Sequence, residues 1–140
     1  MKFWDSSALV AAVVEEKKSG RIRDLGAEDT ERFVWSLTEV EIASALWRRR
    51  RADELTEEAR EKAQRQIDLV LANAVTVSDL SAVARRARRL LATHNLRAAD
   101  AMQLGAALLA SEDDPSRLPL VTLDDRLADA ARREGFAVLP

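Results

Sequence analysis

The sequence predicts an α/β domain in which helices cover both faces of a parallel sheet. Two observations carry this. Short strand-like runs alternate with helical stretches along the whole chain, and parallel strands need such helical crossovers. One run, Leu118–Thr122, is continuously apolar up to its last residue, as a strand buried on both faces should be.

The elements follow in order. Lys2, Phe3 and Trp4 form a first strand that ends at Asp5, and Ser6 and Ser7 read as helix caps before the apolar stretch Ala8–Val14. A short helix over Ser19–Ala27 leads to a strand at Arg32–Ser36. Thr38 caps a helix running to Arg51. Thr56 caps the next, whose Ala59, Ala63, Ile67, Val70 and Leu71 recur at helical spacing. Ala74–Val77 is strand-like, Ser78 or Asp79 opens a helix to Thr93, and Asn95 caps another over Leu96–Ser111. A polar turn with two prolines, Asp113–Pro119, precedes the buried strand. A helix over Arg126–Glu134 is stopped by Gly135, and Ala137–Leu139 is a last short strand. No repeat, low-complexity tract or linker divides the chain, so residues 1–140 read as one domain.

Composition removes several function classes. There is no cysteine and only one histidine, His94, which excludes disulfide frameworks, zinc–thiolate sites, thiol catalysis and a metal-independent ribonuclease built on two histidines. The four glycines are scattered, so no phosphate-cradling glycine loop exists. Apolar runs such as Ala8–Val14 are too short to span a bilayer and no leader segment is visible, which points to a cytoplasmic protein without membrane contact. A net charge of −2 excludes a uniformly basic nucleic-acid binder but permits a local basic face. Arginines cluster at Arg48–Arg51 and at Arg85, Arg86, Arg88 and Arg89.

In open α/β sheets ligands bind beyond the carboxyl ends of the strands, which directs attention to Asp5 and to Asp124, with Asp125 beside it. A third acid, Asp100, stands in a helix where only Asp100 and Gln103 are polar between Ala98 and Leu109. Such a helix is buried nearly all round, and a lone carboxylate there is costly unless paired, protonated or bound to a metal. Each acid also has a plain structural role open to it: Asp5 and Asp124 as helix caps, Asp100 as a complement to the helix dipole. Gathered together they would repel unless a cation neutralised them, and oxygen ligands favour a hard one, Mg²⁺ or Mn²⁺. A fourth acid comes from the helix after the second strand. Helical periodicity leans towards Glu39, which shares a face with Ile42, Ala43 and Leu46. Glu41 lies with the small Ser44 and Ala45, which would admit another element.

Four motifs occur in order: Asp5-Ser6-Ser7-Ala8-Leu9; Thr38-x-x-Glu41 followed by Ala45-Leu46-x-Arg48; Leu96-Arg97-Ala98-x-Asp100-Ala101-x-x-Leu104; and Val121-Thr122-x-Asp124-x-Arg126-Leu127 with Ala130, Ala131 and Gly135. Together they resemble the PIN-domain family, and more closely the VapC-type toxins of toxin–antitoxin pairs. The resemblance implies an α/β/α sandwich, an endoribonuclease using Mg²⁺ or Mn²⁺, and a cognate antitoxin that blocks the site. It makes Asp5, Glu41, Asp100 and Asp124 the catalytic acids, with Asp5 and Asp100 the metal ligands. Ser7 and Thr122 take the positions of supporting hydroxyls, and Asp125 matches nothing the pattern requires. It selects Glu41 against the lean of periodicity towards Glu39. Toxins of this kind often pair, so a homodimer is expected.

Positive charge must lie near the acids for RNA to approach; Arg48, Arg49 and Arg97 are placed for this. With few aromatic residues and no tyrosine, recognition of RNA backbone and shape is expected over base stacking. Trp4 and Trp35 belong to the core, Trp47 to core or interface, and His94 to a helix end. Two rivals stand beside the nuclease. A phosphotransferase with Asp5 as nucleophile would want a second Asp where Ser7 stands, and a receiver domain would want a lysine after a late strand, yet none follows Lys62. A catalytically silent PIN-like binding module would keep the fold and lose acids.

Overall fold

Five short strands, Lys2–Trp4 (β1), Arg32–Trp35 (β2), Val75–Val77 (β3), Leu120–Val121 (β4) and Val138–Leu139 (β5), pair in parallel in the order β3-β2-β1-β4-β5 in the computed structural model, which describes residues 1–14 and 19–140. Among the described residues the helices are Ser6–Val13 (α1), Ser19–Glu28 (α2), Thr38–Arg51 (α3), Glu57–Ala72 (α4), Leu80–Thr93 (α5), Ala98–Ala110 (α6) and Asp125–Arg133 (α7), with a 3₁₀ turn at Pro115–Arg117. None is long and apolar enough to cross a membrane.

Alternation along each strand builds two cores. Phe3, Trp35, Val77 and Leu120 point to the side covered by α5, α6 and α7; Trp4, Val34 and Val121 point to the side covered by α1 to α4. Apart from the exposed Thr76 in the middle of the edge strand β3, polar residues are confined to strand ends. The chain leaves β1 to one side of the sheet through β2 and β3, then returns to β1's other side as β4. The sheet therefore reverses direction between β1 and β4, and the crevice beyond their carboxyl ends is the ligand position of such a topology. Asp5 follows β1 there, and Thr122 to Asp124 follow β4.

On the other face α6 lies unusually close to α5. A Cβ added at Gly105 would stand 2.9 Å from the Val83 carbonyl oxygen and 3.2 Å from the Ala87 nitrogen. Gly135, at φ +100°, ends the chain's last helical segment in a conformation that side chains rarely adopt.

Several boundaries differ from the sequence reading for identifiable reasons. Asp5 caps α1, because its carboxylate accepts from the Ser7 N–H; Ser6 and Ser7 are the first helical residues. Thr38 is likewise inside α3, after Leu37, and its hydroxyl is taken by Gln103. The helix read from Leu96 starts at Ala98, capped by Arg97, with Asp100 reaching back to the Arg97 N–H; Asn95 caps nothing. Ladder pairing in the run Leu118–Thr122 is confined to Leu120–Val121. Trp4 and Trp35 are buried, whereas Trp47 is exposed under the guanidinium of Arg60.

Candidate active site

Asp5 is 4 % exposed, and its hydrogen bonds all fall on one oxygen. Oδ2 accepts from the Ser7 N–H at 3.1 Å, the Ser7 hydroxyl at 2.5 Å and the Thr122 hydroxyl at 2.9 Å. Both hydroxyls are themselves fixed by the loop between β4 and α7: Ser7 Oγ accepts from the Leu123 N–H at 2.9 Å and Thr122 Oγ1 from the Asp124 N–H at 3.1 Å. Oδ1 has no hydrogen bond among the described residues. Burial pushes the Asp5 carboxyl up; the Ser7 and Thr122 donors pull it down in part, and Asp124 adds repulsion.

The other acids stand on α3, on α6 and at the start of α7. Asp124 caps α7 through Oδ1, which accepts from the Leu127 N–H at 2.8 Å. Asp100 is half-buried in the first turn of α6; burial raises its pKa, Asp124 raises it further, and Arg97 and Arg126 oppose the shift. Glu41, on α3, is also raised, chiefly by burial and further by Asp5 and Asp100. The repulsions thus close a ring in which Asp5 feels Asp124, Asp124 acts on Asp100, and Glu41 feels both Asp100 and Asp5. No Lys or Arg ion-pairs with any of the four among the described residues.

Glu39 lies elsewhere. It is exposed and lines a separate hollow with Val34, Asp68 and Thr76. The periodicity argument failed because it measures distance from the sheet, where Thr38, Ile42 and Leu46 are buried. Glu41 is covered instead by neighbouring helices. Gln103 of α6 donates to Glu41 Oε2 at 2.8 Å, and Ser6 of α1 lines the same cleft. Gln103 also donates to Thr38 Oγ1 at 3.1 Å. Its signal in the sequence was its standing, with Asp100, as a lone polar residue of that helix; Ser6 gave none beyond its cap-like position.

Glu41 and Asp100 both line a cleft of about 640 Å³ whose walls include Ser6, Ser7, Arg48 and Arg49. Asp125 is exposed in the first turn of α7. The second arginine cluster is partly spent on the fold: Arg86 pairs with Asp113 and Arg89 with Glu134, which also bonds His94 Nε2 at 2.7 Å.

Carboxylate and hydroxyl oxygens, with no imidazole or thiolate, suit a hard divalent cation, and the open Asp5 Oδ1 offers it a ligand. No three acidic side chains among the described residues converge into a ready-made cage. A magnesium-like ion does not need one, since it keeps several waters and takes one or two carboxylates.

A family model described as PIN domain matches residues 2–133. No curated protein matches the chain. Among solved structures it is similar to VapC20 of Mycobacterium tuberculosis, a sarcin–ricin loop cleaving toxin, with a TM-score of 0.71 and 18 % identity over all of both chains. It is similar also to FitAcB of Neisseria gonorrhoeae (TM-score 0.68, 14 % identity) and to a toxin–antitoxin complex of Klebsiella pneumoniae (TM-score 0.67, 16 % identity), each covering 100 % of this chain and 97 % of the other. At these identities the likeness is one of fold, the α/β/α sandwich.

Proposed function

The chain belongs to the PIN-domain family, and from that premise we propose that it is a divalent-metal-dependent endoribonuclease acting as the toxin of a toxin–antitoxin pair. The observation that carries the reading is the set of four carboxylates linked by mutual repulsion, with no Lys or Arg ion-paired to any of them among the described residues. A bound divalent cation would relieve that repulsion in the ionised form. The VapC20 and Klebsiella neighbours add the toxin setting: one cleaves RNA at the sarcin–ricin loop, the other is held with an antitoxin.

In this reading Asp5 and Asp100 hold Mg²⁺ or Mn²⁺, which when bound supplies Lewis acidity towards a phosphoryl oxygen and water. Ser7 and Thr122 engage Asp5 Oδ2 and leave Oδ1 open to a cation, and Asp124 would orient water from the α7 side. Glu41, whose pKa burial raises, accepts the proton of the attacking water. Arg48 and Arg49, on the wall of the same cleft, lie where RNA phosphates must pass. An antitoxin that covers the cleft and a second copy of the chain are its protein partners, and the cytoplasm its setting.

The test is direct. Purified protein should cleave structured RNA with Mg²⁺ or Mn²⁺ and stop when a chelator is added. Equal cleavage in chelator removes the metal mechanism. Intact RNA under every metal condition leaves a silent binding module.

A further inference from the structure

Gln103 stands one helical turn beyond Asp100 and is 1 % exposed, the only polar residue between Ala101 and Ala110. Its side chain crosses from α6 to α3 and gives one N–H to Thr38 Oγ1 at 3.1 Å and the other to Glu41 Oε2 at 2.8 Å. Its own Oε1 is buried with no partner among the described residues. A carboxylate oxygen can only accept, so the amide must turn its NH₂ to Glu41 and its oxygen away. The orphaned oxygen is the consequence, and it is a cost to the fold that an apolar side chain of the same size would not carry.

We propose that Gln103 is a positioning residue for Glu41. It ties Oε2 of the glutamate to the α6 wall, at the level of Asp100, and so turns the rest of the carboxylate towards the site. The α6 amide is what fixes the Glu41 side chain. Asp100 and Gln103 on α6, and Thr38 and Glu41 on α3, are each three residues apart, so one amide sets the register of the two walls. The claim rests on the nuclease reading for its catalytic meaning, not for its geometry.

Gln103→Met, unbranched and of equal length, and Gln103→Leu test it. Three readouts apply: the melting temperature, kcat and KM on cleaved RNA in wild-type and Glu41→Gln backgrounds, and a crystal structure of the Gln103→Met protein. The proposal expects an unchanged or higher melting temperature, KM within about twofold, and kcat lower by about tenfold or more, as misplacing a reacting group costs. It expects no further loss in the Glu41→Gln background, and a Glu41 side chain moved or disordered in the crystal. An unmoved Glu41, or a kcat loss that persists in the Glu41→Gln background, overturns it. Failure of both variants to fold also overturns it, because the amide would then serve the fold. If wild-type protein cleaves no RNA, the nuclease reading falls and the crystal structure alone decides the role of Gln103.

Discussion

Thr122 donates its hydroxyl to Asp5 Oδ2 at 2.9 Å, joining residues 117 apart in sequence. The contact exists because β1 and β4 are parallel neighbours, with Phe3 opposite Leu120 and Trp4 opposite Val121. Their carboxyl ends open at the same edge. The same hydroxyl accepts from the Asp124 N–H, so one side chain fixes two acids of the ring.

Thr122→Val keeps the shape and removes the hydroxyl. It leaves the Asp124 N–H and one donor position at Asp5 unfilled, so stability should fall by about 1–3 kcal/mol. Ser7→Ala should couple to it non-additively because both hydroxyls share Oδ2. Denaturant titration of the singles and the double measures this; strictly additive losses would show the two bonds to be independent.

The pH dependence of the metal-free protein follows from the raised carboxyls. Asp5, Glu41 and Asp100 all stand above their ordinary values, mainly through burial. The native state therefore holds more protons than the unfolded state above about pH 4. The stability these groups contribute is fully present below that pH and is lost as pH rises through their native pKa values. Glu134 and Asp113, held low by Arg89 and Arg86, act in the opposite sense, but they are common to wild type and variant. The melting temperature of Asp5→Asn relative to wild type should thus climb as pH rises above about 4. A difference that stays flat across this range would contradict the assignment.

Glu41 and Glu39 should separate sharply in kinetics. Loss of a general base costs about 10²–10⁴-fold, so Glu41→Gln should lower kcat by at least about 100-fold. Glu39→Gln, in the exposed hollow, should stay within about twofold of wild type. Equal losses would return Glu39 to the site.

Gly105→Ala should destabilise the fold although alanine is the better helix former by about 1 kcal/mol. The new methyl meets backbone atoms of α5, which cannot rotate away. Overpacking of this kind costs about 1–3 kcal/mol, so the net loss should be roughly 1 kcal/mol, measurable in urea. A gain in stability would mean that α5 and α6 part easily.

Sequence alone carried the element order and the parallel sheet, because two-faced burial leaves strands apolar and their polar ends conspicuous. It also marked Asp5 and Asp124 as edge residues. The caps were less legible. Asp5 and Ser7 are both good cap residues, and only the position of the first helical turn shows that Asp5 takes the role. Glu41 was not legible from periodicity, since its cover comes from Gln103, on a helix distant in the chain. Family resemblance selected it where the wheel did not. Gln103 was visible as a polar residue in an apolar helix, but its partners were not, because α3 and α6 meet only in the folded chain.

The central claim is that four distant acids form one cation-requiring pocket, and manganese binding to the RNA-free protein measures it without reference to cleavage. Titration followed by electron paramagnetic resonance or calorimetry should find Mn²⁺ bound by wild type. Asp5→Asn and Asp100→Asn should each weaken it by more than the roughly 10–100-fold that losing a ligand's hydrogen-bonding partner costs. Undiminished manganese affinity in the folded double variant Asp5→Asn, Asp100→Asn would contradict the account.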